Sequence, residues 1–412
     1  MGLRRKRAIA FKIEDPPGTF DAPVIGDGLL FVVNPTFNVI PLLFDRNVSQ
    51  PSLTRHPKTV SGAAILELTF SLELSGHPDN VGIAAGTATA PELDKIFRAC
   101  GMQRKTTKRC LIGAITPGPN GEGFQIGEDI EIAAAKQGEA ASDMYDGQTV
   151  FPIVETGTMS AAAITGATSG ATATISALDP HEGYTWHPTS TEPAASPTAA
   201  DPVYLSMTMW RDGKKISGKG MRGTLRFEHT HGDKVMITCT FRGVFQAEVD
   251  EALPSQTFSQ IRPVPWINTA ARIQDDTLGM DETNQDFILN TITLDQGNEV
   301  VVRENTNTPG GYQTARIVDR DPSISFNPDE VLDATFPFVD NFRNGKIMQI
   351  EWLVGSVAGN QWLFRGPGLV CNALSDGERD TVDIYDITAQ LSGGEYPDGN
   401  VGVENEYVIN YA

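Results

Sequence analysis

Leu66-Glu67-Leu68-Thr69-Phe70-Ser71-Leu72-Glu73-Leu74 is the stretch that decides the fold class. Apolar and polar residues alternate through all of it. Successive side chains of a strand point to opposite faces, so period two marks a half-buried strand. The alternation returns at Val203, Leu205, Met207 and Met209, at Val235, Ile237, Cys239 and Phe241, and at Met348, Ile350, Trp352 and Val354. A mainly β chain is predicted. Glycine (40 of 412) and proline (26 of 412) slightly exceed their usual shares of about 7% and 5%, which fits a chain with many turns.

One helix is well marked. Thr89 suits an N-cap, Pro91 a first turn, and Glu92 and Asp94 the positive helix end. Leu93, Ile96, Phe97 and Cys100 follow helical spacing, and Gly101 ends the run. A shorter helix is predicted to start at Asn327-Pro328-Asp329-Glu330-Val331-Leu332.

Charge excludes a further set of readings. Lys+Arg 32 against Asp+Glu 52 gives a formal net charge of −20. A stable duplex-DNA binder needs cationic surface to displace counterions, and here the mean field repels DNA. No apolar run reaches the roughly 18 residues of a membrane span. Basic residues open the chain, but Phe11-Lys12-Ile13-Glu14-Asp15-Pro16 interrupts any apolar core behind them. Neither a secretory nor a twin-arginine signal is expected. Cys100, Cys110, Cys239 and Cys371 are too few and too scattered for a disulfide framework, and suit synthesis in a reducing cytoplasm.

Composition shifts suggest the domain organisation. A first β domain is expected over 1–102 and 201–253. Residues 103–200 are read as an inserted elaboration, with Ile164 to Ile175 forming two small strands around a glycine turn. Pro193-Ala194-Ala195-Ser196-Pro197 reads as linker. A second linker is expected over 254–285 and a second β domain over 286–412. The halves share a faint repeat. Arg55-His56-Pro57 and Arg320-Asp321-Pro322 each precede a strand. Arg222-Gly223-Thr224-Leu225 aligns with Arg365-Gly366-Pro367-Gly368-Leu369, the turns His231-Gly232-Asp233 and Asp376-Gly377-Glu378 follow, and strands 235–241 and 382–388 close the pattern.

Motifs that could carry chemistry mostly fail their context. Gly213-Lys214-Lys215-Ile216-Ser217-Gly218-Lys219 has phosphate-loop spacing, but Gly220 stands where Ser or Thr should hold magnesium, and a strand rather than a helix follows. Gly218, Gly220 and Gly223 match dinucleotide spacing and lack the strand–turn–helix setting. His229-Thr230-His231 with Asp233 offers at most part of a zinc set, so no metal or other cofactor is expected. No Gly-x-Ser-x-Gly elbow occurs, and no catalytic residue is assigned. The chain is read as a non-enzyme. Arg4, Arg5, Lys6 and Arg7 stand out in an acidic chain, either as a solvated tail or as an arm that docks on a neighbouring subunit. Arg104, Lys105, Lys108 and Arg109 form a second basic cluster, read as a solvated loop.

Taken in order, several stretches resemble the major tail tube proteins of long-tailed, non-contractile (siphovirus-type) bacteriophages. They are Ala10-Phe11-Lys12-Ile13-Glu14 before Gly18-Thr19-Phe20-Asp21-Ala22-Pro23, then Arg55-His56-Pro57, the strand 65–74, and Ala90-Pro91-Glu92-Leu93 through Gly101-Met102. Met221-Arg222-Gly223-Thr224 and Thr240-Phe241-Arg242-Gly243 follow. In the second half stand Ile324-Ser325-Phe326, Gly345-Lys346, Gly359-Asn360, Gly366-Pro367 and Glu404-Asn405-Glu406-Tyr407-Val408-Ile409. The chain is long for a one-domain member, which a tandem duplication explains.

The resemblance implies two tandem tube-type β-sandwich or barrel domains, each with a short flanking helix, plus the small β insert. It implies self-association into rings that stack into a hollow tail tube through which phage DNA passes. A trimer acting as pseudo-hexamer is favoured over a hexamer. Implied partners are the tail terminator, tape measure and tail-tip proteins, with DNA in transient, non-sticking passage and no membrane. Assembly in the host cytoplasm and residence in the virion tail follow. Glu67 and Glu73 become candidates for the bore face, and Arg4, Arg5, Lys6 and Arg7 for an inter-subunit arm. The alternatives are a single-ring tail component, terminator- or hub-like, and a carbohydrate-binding β-sandwich adhesin with Trp186, Trp210 and Trp266 as stacking platforms.

Overall fold

In a computed structural model the protein is described at residues 7–24, 32–44, 59–77, 89–112, 172–255, 262–267, 271–275, 287–308, 311–355, 359–392 and 406–411, with short pieces between 116 and 166. The elements are β1 (Arg7–Ile13), β2 (Val32–Phe44), β3 (Thr59–Glu73) and α1 (Leu93–Ala99), then β4 (Met102–Ile112), β5 (Asp129–Ile132), β6 (Lys136–Glu139), β7 (Thr149–Val150), β8 (Ala163–Gly166) and β9 (Thr172–Pro188). There follow β10 (Leu205–Arg211), β11 (Lys214–Thr230), β12 (Met236–Asp250), β13 (Ala271–Asp275), β14 (Leu289–Asp295), β15 (Asn298–Glu304), β16 (Tyr312–Arg320) and β17 (Ser323–Pro328). The chain ends with α2 (Phe338–Asn344), β18 (Met348–Val354), β19 (Trp362–Arg379), β20 (Val382–Leu391) and β21 (Val408–Tyr411). The fold is mainly β, antiparallel and of sandwich type.

Two six-strand units follow the same plan. In the first, hydrogen-bonded neighbours run β2-β3-β12-β11-β10-β1. In the second they run β14-β17-β20-β19-β18-β13. Each unit meets these strands in the same chain order, with its helix before the fourth. Irregularities repeat as well. Between β10 and β11 the register slips from Leu205↔Met221 to Met207↔Gly218. Between β18 and β19 it slips from Met348↔Leu369 to Ile350↔Gly366. A bulge re-aims a strand at a fixed place, so these two slips align the units there: Gly218-Lys219-Gly220-Met221 corresponds to Gly366-Pro367-Gly368-Leu369, and β19 gains one residue at its further shift between Cys371 and Ala373. The pairing expected from sequence, Arg222-Gly223 with Arg365-Gly366, is offset from this, although it matches the correct strands.

Apolar burial follows the repeat. Leu205, Met207 and Met209 are fully buried, as are their counterparts Met348, Ile350 and Trp352. Leu68 and Phe70 correspond to Ile324 and Phe326, also buried. One core serves both units. Phe97 of α1 packs edge-on to Trp186 and Trp362, and Trp186 stacks on Trp362 with ring centroids 5.9 Å apart. β11 shifts register against β12 between Lys219 and Arg222. Gly220 takes a left-handed φ of 59° there, and a Cβ on it would stand 2.9 Å from Thr314 Cα.

The units are joined by β11 itself. Its first part pairs with β10, and its last five residues pair with β14. Eight strands therefore run side by side without a break: β2-β3-β12-β11-β14-β17-β20-β19. The hairpin β15–β16 leaves the second unit and lies on the first, where Val300, Val302, Tyr312 and Ala315 pack against Val244 and Ile65.

Four expectations meet a different outcome. The residues 327–332 start no helix; β17 runs to Pro328, and α2 begins at Phe338. Asn327 spends its cap-like side chain on the sheet, where Oδ1 accepts from the Asn290 and Thr291 amides. Within the expected linker 254–285, Ala271–Asp275 is a strand paired to β18. The first unit lends β11 to the second, so the halves are not separate sheets. Within the expected insert, β4 and β9 form a long ladder, and β9 docks on β21 of the second unit. The two small strands around the glycine turn are present as β8 and the start of β9.

Candidate functional site

The eight-strand sheet has one apolar and one polar face. Leu66, Leu68, Phe70 and Leu72 point to the core, which places Glu67, Thr69, Ser71 and Glu73 on the other side. Neighbouring strands continue the polar face with hydroxyl ladders. Ser71 Oγ lies 3.2 Å from Thr238 Oγ1, and Thr69 Oγ1 3.5 Å from Thr240 Oγ1. Thr224, Thr291, Thr293, Ser323, Ser325 and Thr388 extend the same surface by register.

Glu67 and Glu73 both stand on this polar face, and each is paired. The Arg242 guanidinium donates to Glu67 at 2.7 Å, and the Lys234 ammonium donates to Glu73. Arg226 meets Glu228 at 3.1 Å. The face is thus carpeted with neutral hydroxyls, and its charges are largely matched in opposite signs. The two bore-face candidates thus stand on one polar face as ion-paired carboxylates. Exposed pairs of this kind contribute roughly 0–1 kcal/mol to stability.

Of the basic arm, Arg4, Arg5 and Lys6 lie outside the described residues. Arg7 opens β1, opposite Arg211 of β10. Its guanidinium donates to the Pro35 carbonyl, and the Arg211 guanidinium sits 4.5 Å above the Phe37 ring. The far end of the six-strand unit therefore curls back over β2. Arg104 of the second basic cluster is no loop residue but lies in β4, bound to the buried Asp94 carboxylate at 3.0 Å.

Two backbone edges of the eight-strand sheet carry no partner strand among the described residues. One is the outer edge of β2. The other is the outer edge of β19 from Asn372 to Arg379. Asn372, Ala373, Ser375, Asp376 and Glu378 are exposed there, as are Ile40 and Leu43 on β2. A partly apolar edge without a partner strand is a template for another strand, although on β2 the Pro35 carbonyl already accepts from Arg7.

Other sequence features resolve as structure. The Gly213–Lys219 stretch enters β11 and opens no helix. His229 is buried and His231 exposed. His229 Nδ1 lies 3.3 Å from the Ile292 carbonyl, and Nε2 accepts from Trp352 Nε1 at 3.2 Å. Burial pulls its pKa from 6.5 to about 3. Sequence reading offered this residue as a ligand and missed its role in the core. Among the described residues no three His, Cys, Asp or Glu side chains converge as a metal would require. Cys100, Cys239 and Cys371 are buried free thiols whose pKa values burial raises. All five tryptophans are buried, including Trp186, Trp210 and Trp266, which removes the stacking platforms of an adhesin. No described helix is long and apolar enough to cross a membrane.

No protein-family model matches the chain, and no curated protein matches it. What the surface can do must be read from its own chemistry: a hydroxyl-rich sheet face with the β15–β16 hairpin seated at its Ile65 end, and two edges without a partner strand among the described residues.

Proposed function

We propose that the protein is a structural virion component that polymerises as stacked rings into the hollow tail tube of a non-contractile, long-tailed bacteriophage. The observation that carries this reading is the internal repeat joined edge to edge, with a strand at each end of the joined sheet that has no outer partner among the described residues. A sheet built this way lacks only further copies to abolish its edges, and closure is how barrels do so.

Strand spacing bears on ring size. Each chain contributes eight strands, so three chains would supply about twenty-four. At about 4.8 Å per strand, an untilted barrel of that count is about 37 Å across its backbone, and tilt widens it. A bore of that order would pass a B-form duplex with little room to spare. Six chains would double it. The trimer, acting as pseudo-hexamer, is therefore the favoured ring.

The polar face would line the bore. Hydroxyls offer no fixed cation to phosphate, and Arg242 and Lys234 are committed to Glu67 and Glu73. DNA could slide without the counterion release that makes basic surfaces hold it. The chain's remaining negative charge would add a weak repulsive field. Tail terminator, tape measure and tail-tip proteins would be the partners at and inside the tube, with assembly in the host cytoplasm.

Negative-stain electron microscopy of the purified protein across a concentration series tests the reading. Hollow tubes of stacked rings, three-fold on rotational averaging, are expected. Isolated rings that never stack would move the assignment to a terminator- or hub-like component. Monomers at every concentration, with or without tail-tip extract, would refute it.

A further inference from the structure

The intrachain joint between β11 and β14 is a template for a joint between copies. Its register is Arg226↔Asp295, Phe227↔Leu294 and Glu228↔Thr293. The repeat carries each partner onto its counterpart. On the receiving strand, Thr224 pairs with Thr240 in the first unit and Ala373 with Thr388 in the second. Ser375 therefore occupies the place of Arg226. On the donated strand, Thr36 pairs with Thr69 and Thr293 with Ser325. Asn38 therefore occupies the place of Asp295. Thr240 and Thr69 pair with each other, as do Thr388 and Ser325, which fixes the equivalence on both strands.

We propose that β2 of one copy adds antiparallel to residues 373–379 of a second copy, with Asn38 opposite Ser375, so that chains join head to tail in the register of β11 and β14. The occupant is a second copy of this chain, because its β2 is the counterpart of the strand that fills the same place inside the chain. The inference rests on the tube reading for its ring and adds which strands meet and how.

The chemistry of the two joints differs in a way that suits their roles. Inside the chain, Phe227 and His229 point into the core and meet Phe364 and Trp352. That joint is permanent and dry. Their counterparts at the open edge are Asp376 and Glu378, both exposed. The surface they would meet carries Arg7, whose guanidinium holds the Pro35 carbonyl, and Arg211, which lies over Phe37 and also pairs with Glu248 at 3.2 Å. Opposite charges steer partners and fix register, and a charged edge keeps the free chain from pairing at random. Pro35 suits an edge that must not pair indiscriminately, since it lacks an N–H.

Disulfide trapping in the full-length chain tests the register. Residues directly opposite on antiparallel strands have Cα atoms roughly 4.5–5.5 Å apart, within disulfide reach. The double variant Asn38→Cys/Ser375→Cys should give, under mild oxidation of assembled protein, a reducible ladder ending at the closed ring. Wild type, with its own thiols, should give none. Ile40→Cys/Ser375→Cys, displaced by about 7 Å along the strand, should give little. All three samples are also imaged. Tubes with the Asn38–Ser375 ladder support the joint. Tubes without it, or with the Ile40 pair preferred, overturn the joint and leave the tube reading standing. A ladder without tubes supports the joint and overturns the tube. Neither tubes nor ladder overturns both.

Discussion

Lowering the pH from 7.5 to 5.0 should destabilise this protein through one side chain, His229. Its neutral ring is fixed by two opposed hydrogen bonds. Nδ1–H donates to the Ile292 carbonyl, and bare Nε2 accepts the Trp352 indole N–H. A proton on Nε2 would set two donors face to face. The rings of Trp266, Trp352 and Phe364 stand edge-on around the imidazole, with centroids 5.0 to 5.8 Å away, in a fully buried site that penalises a cation. The pKa falls from 6.5 to about 3 because burial outweighs the bond to the Ile292 carbonyl, which by itself raises it.

The sign follows from proton binding. Below about pH 6.5 the unfolded chain takes up a proton that the folded chain refuses, so stability is complete above that pH and is lost as pH falls toward 3. One pKa unit corresponds to about 1.4 kcal/mol, so the step from pH 7.5 to 5.0 costs about 2 kcal/mol from this residue. Urea denaturation of unassembled chain, followed by tryptophan fluorescence, reads the change. Other groups titrate in the same window, so the comparison is with His229→Gln. Its amide can donate to Ile292 and accept from Trp352 without titrating. The variant should be weaker at pH 7.5 and should lose about 2 kcal/mol less than wild type on acidification. Equal pH dependence in the two proteins would refute the reasoning, because it would mean that His229 protonates in the fold or contributes nothing.

Trp362→Ala should cost about 3–5 kcal/mol, because the fully buried ring joins both units' aromatic clusters; thermal and urea midpoints measure it. Gly220→Ala should destabilise well beyond Gly213→Ala in the same urea assay. Both positions have positive φ, but only at Gly220 would the new methyl meet backbone, at Thr314. Glu14→Gln should cost about 1–3 kcal/mol. Its carboxylate accepts from the Gly18 amide at 2.7 Å, the Gly220 amide at 2.6 Å and Ser206 Oγ at 2.9 Å, and an amide nitrogen would face one of those donors. Glu67→Gln should change stability by less than about 1 kcal/mol. By releasing Arg242 on the polar face it should also raise DNA retention by assembled tubes in a filter assay at low salt.

What the sequence disclosed, and what it hid, divides along one physical line. A half-buried strand writes its burial into its own residues, so Leu66 to Leu74 was readable in isolation. The same holds for α1, whose Leu93, Ile96 and Phe97 all face the core. Position 327 misled because Asn-Pro is a local helix-start signal, whereas the Asn327 side chain answers two amides on β14, more than thirty residues earlier. β13 was hidden because its five residues carry one large apolar side chain, Ile273, between Arg272 and Gln274, too short a pattern to exceed its polar neighbours. His229 looked like a ligand beside His231, since nothing adjacent in sequence announces Trp352 or Ile292. The joint between the units is the extreme case. The partners Phe227 and Leu294 stand far apart in the chain, and each strand alone reads as ordinary. Yet the difference on which the proposed joint turns is visible once the repeat is aligned. Where the internal joint has Phe227 and His229, the open edge has Asp376 and Glu378. An apolar pair there would leave the free chain with a sticky strand, and an acidic pair requires a basic counterpart before it can be covered. Arg7 and Arg211 stand beside the one strand that the repeat designates to cover it.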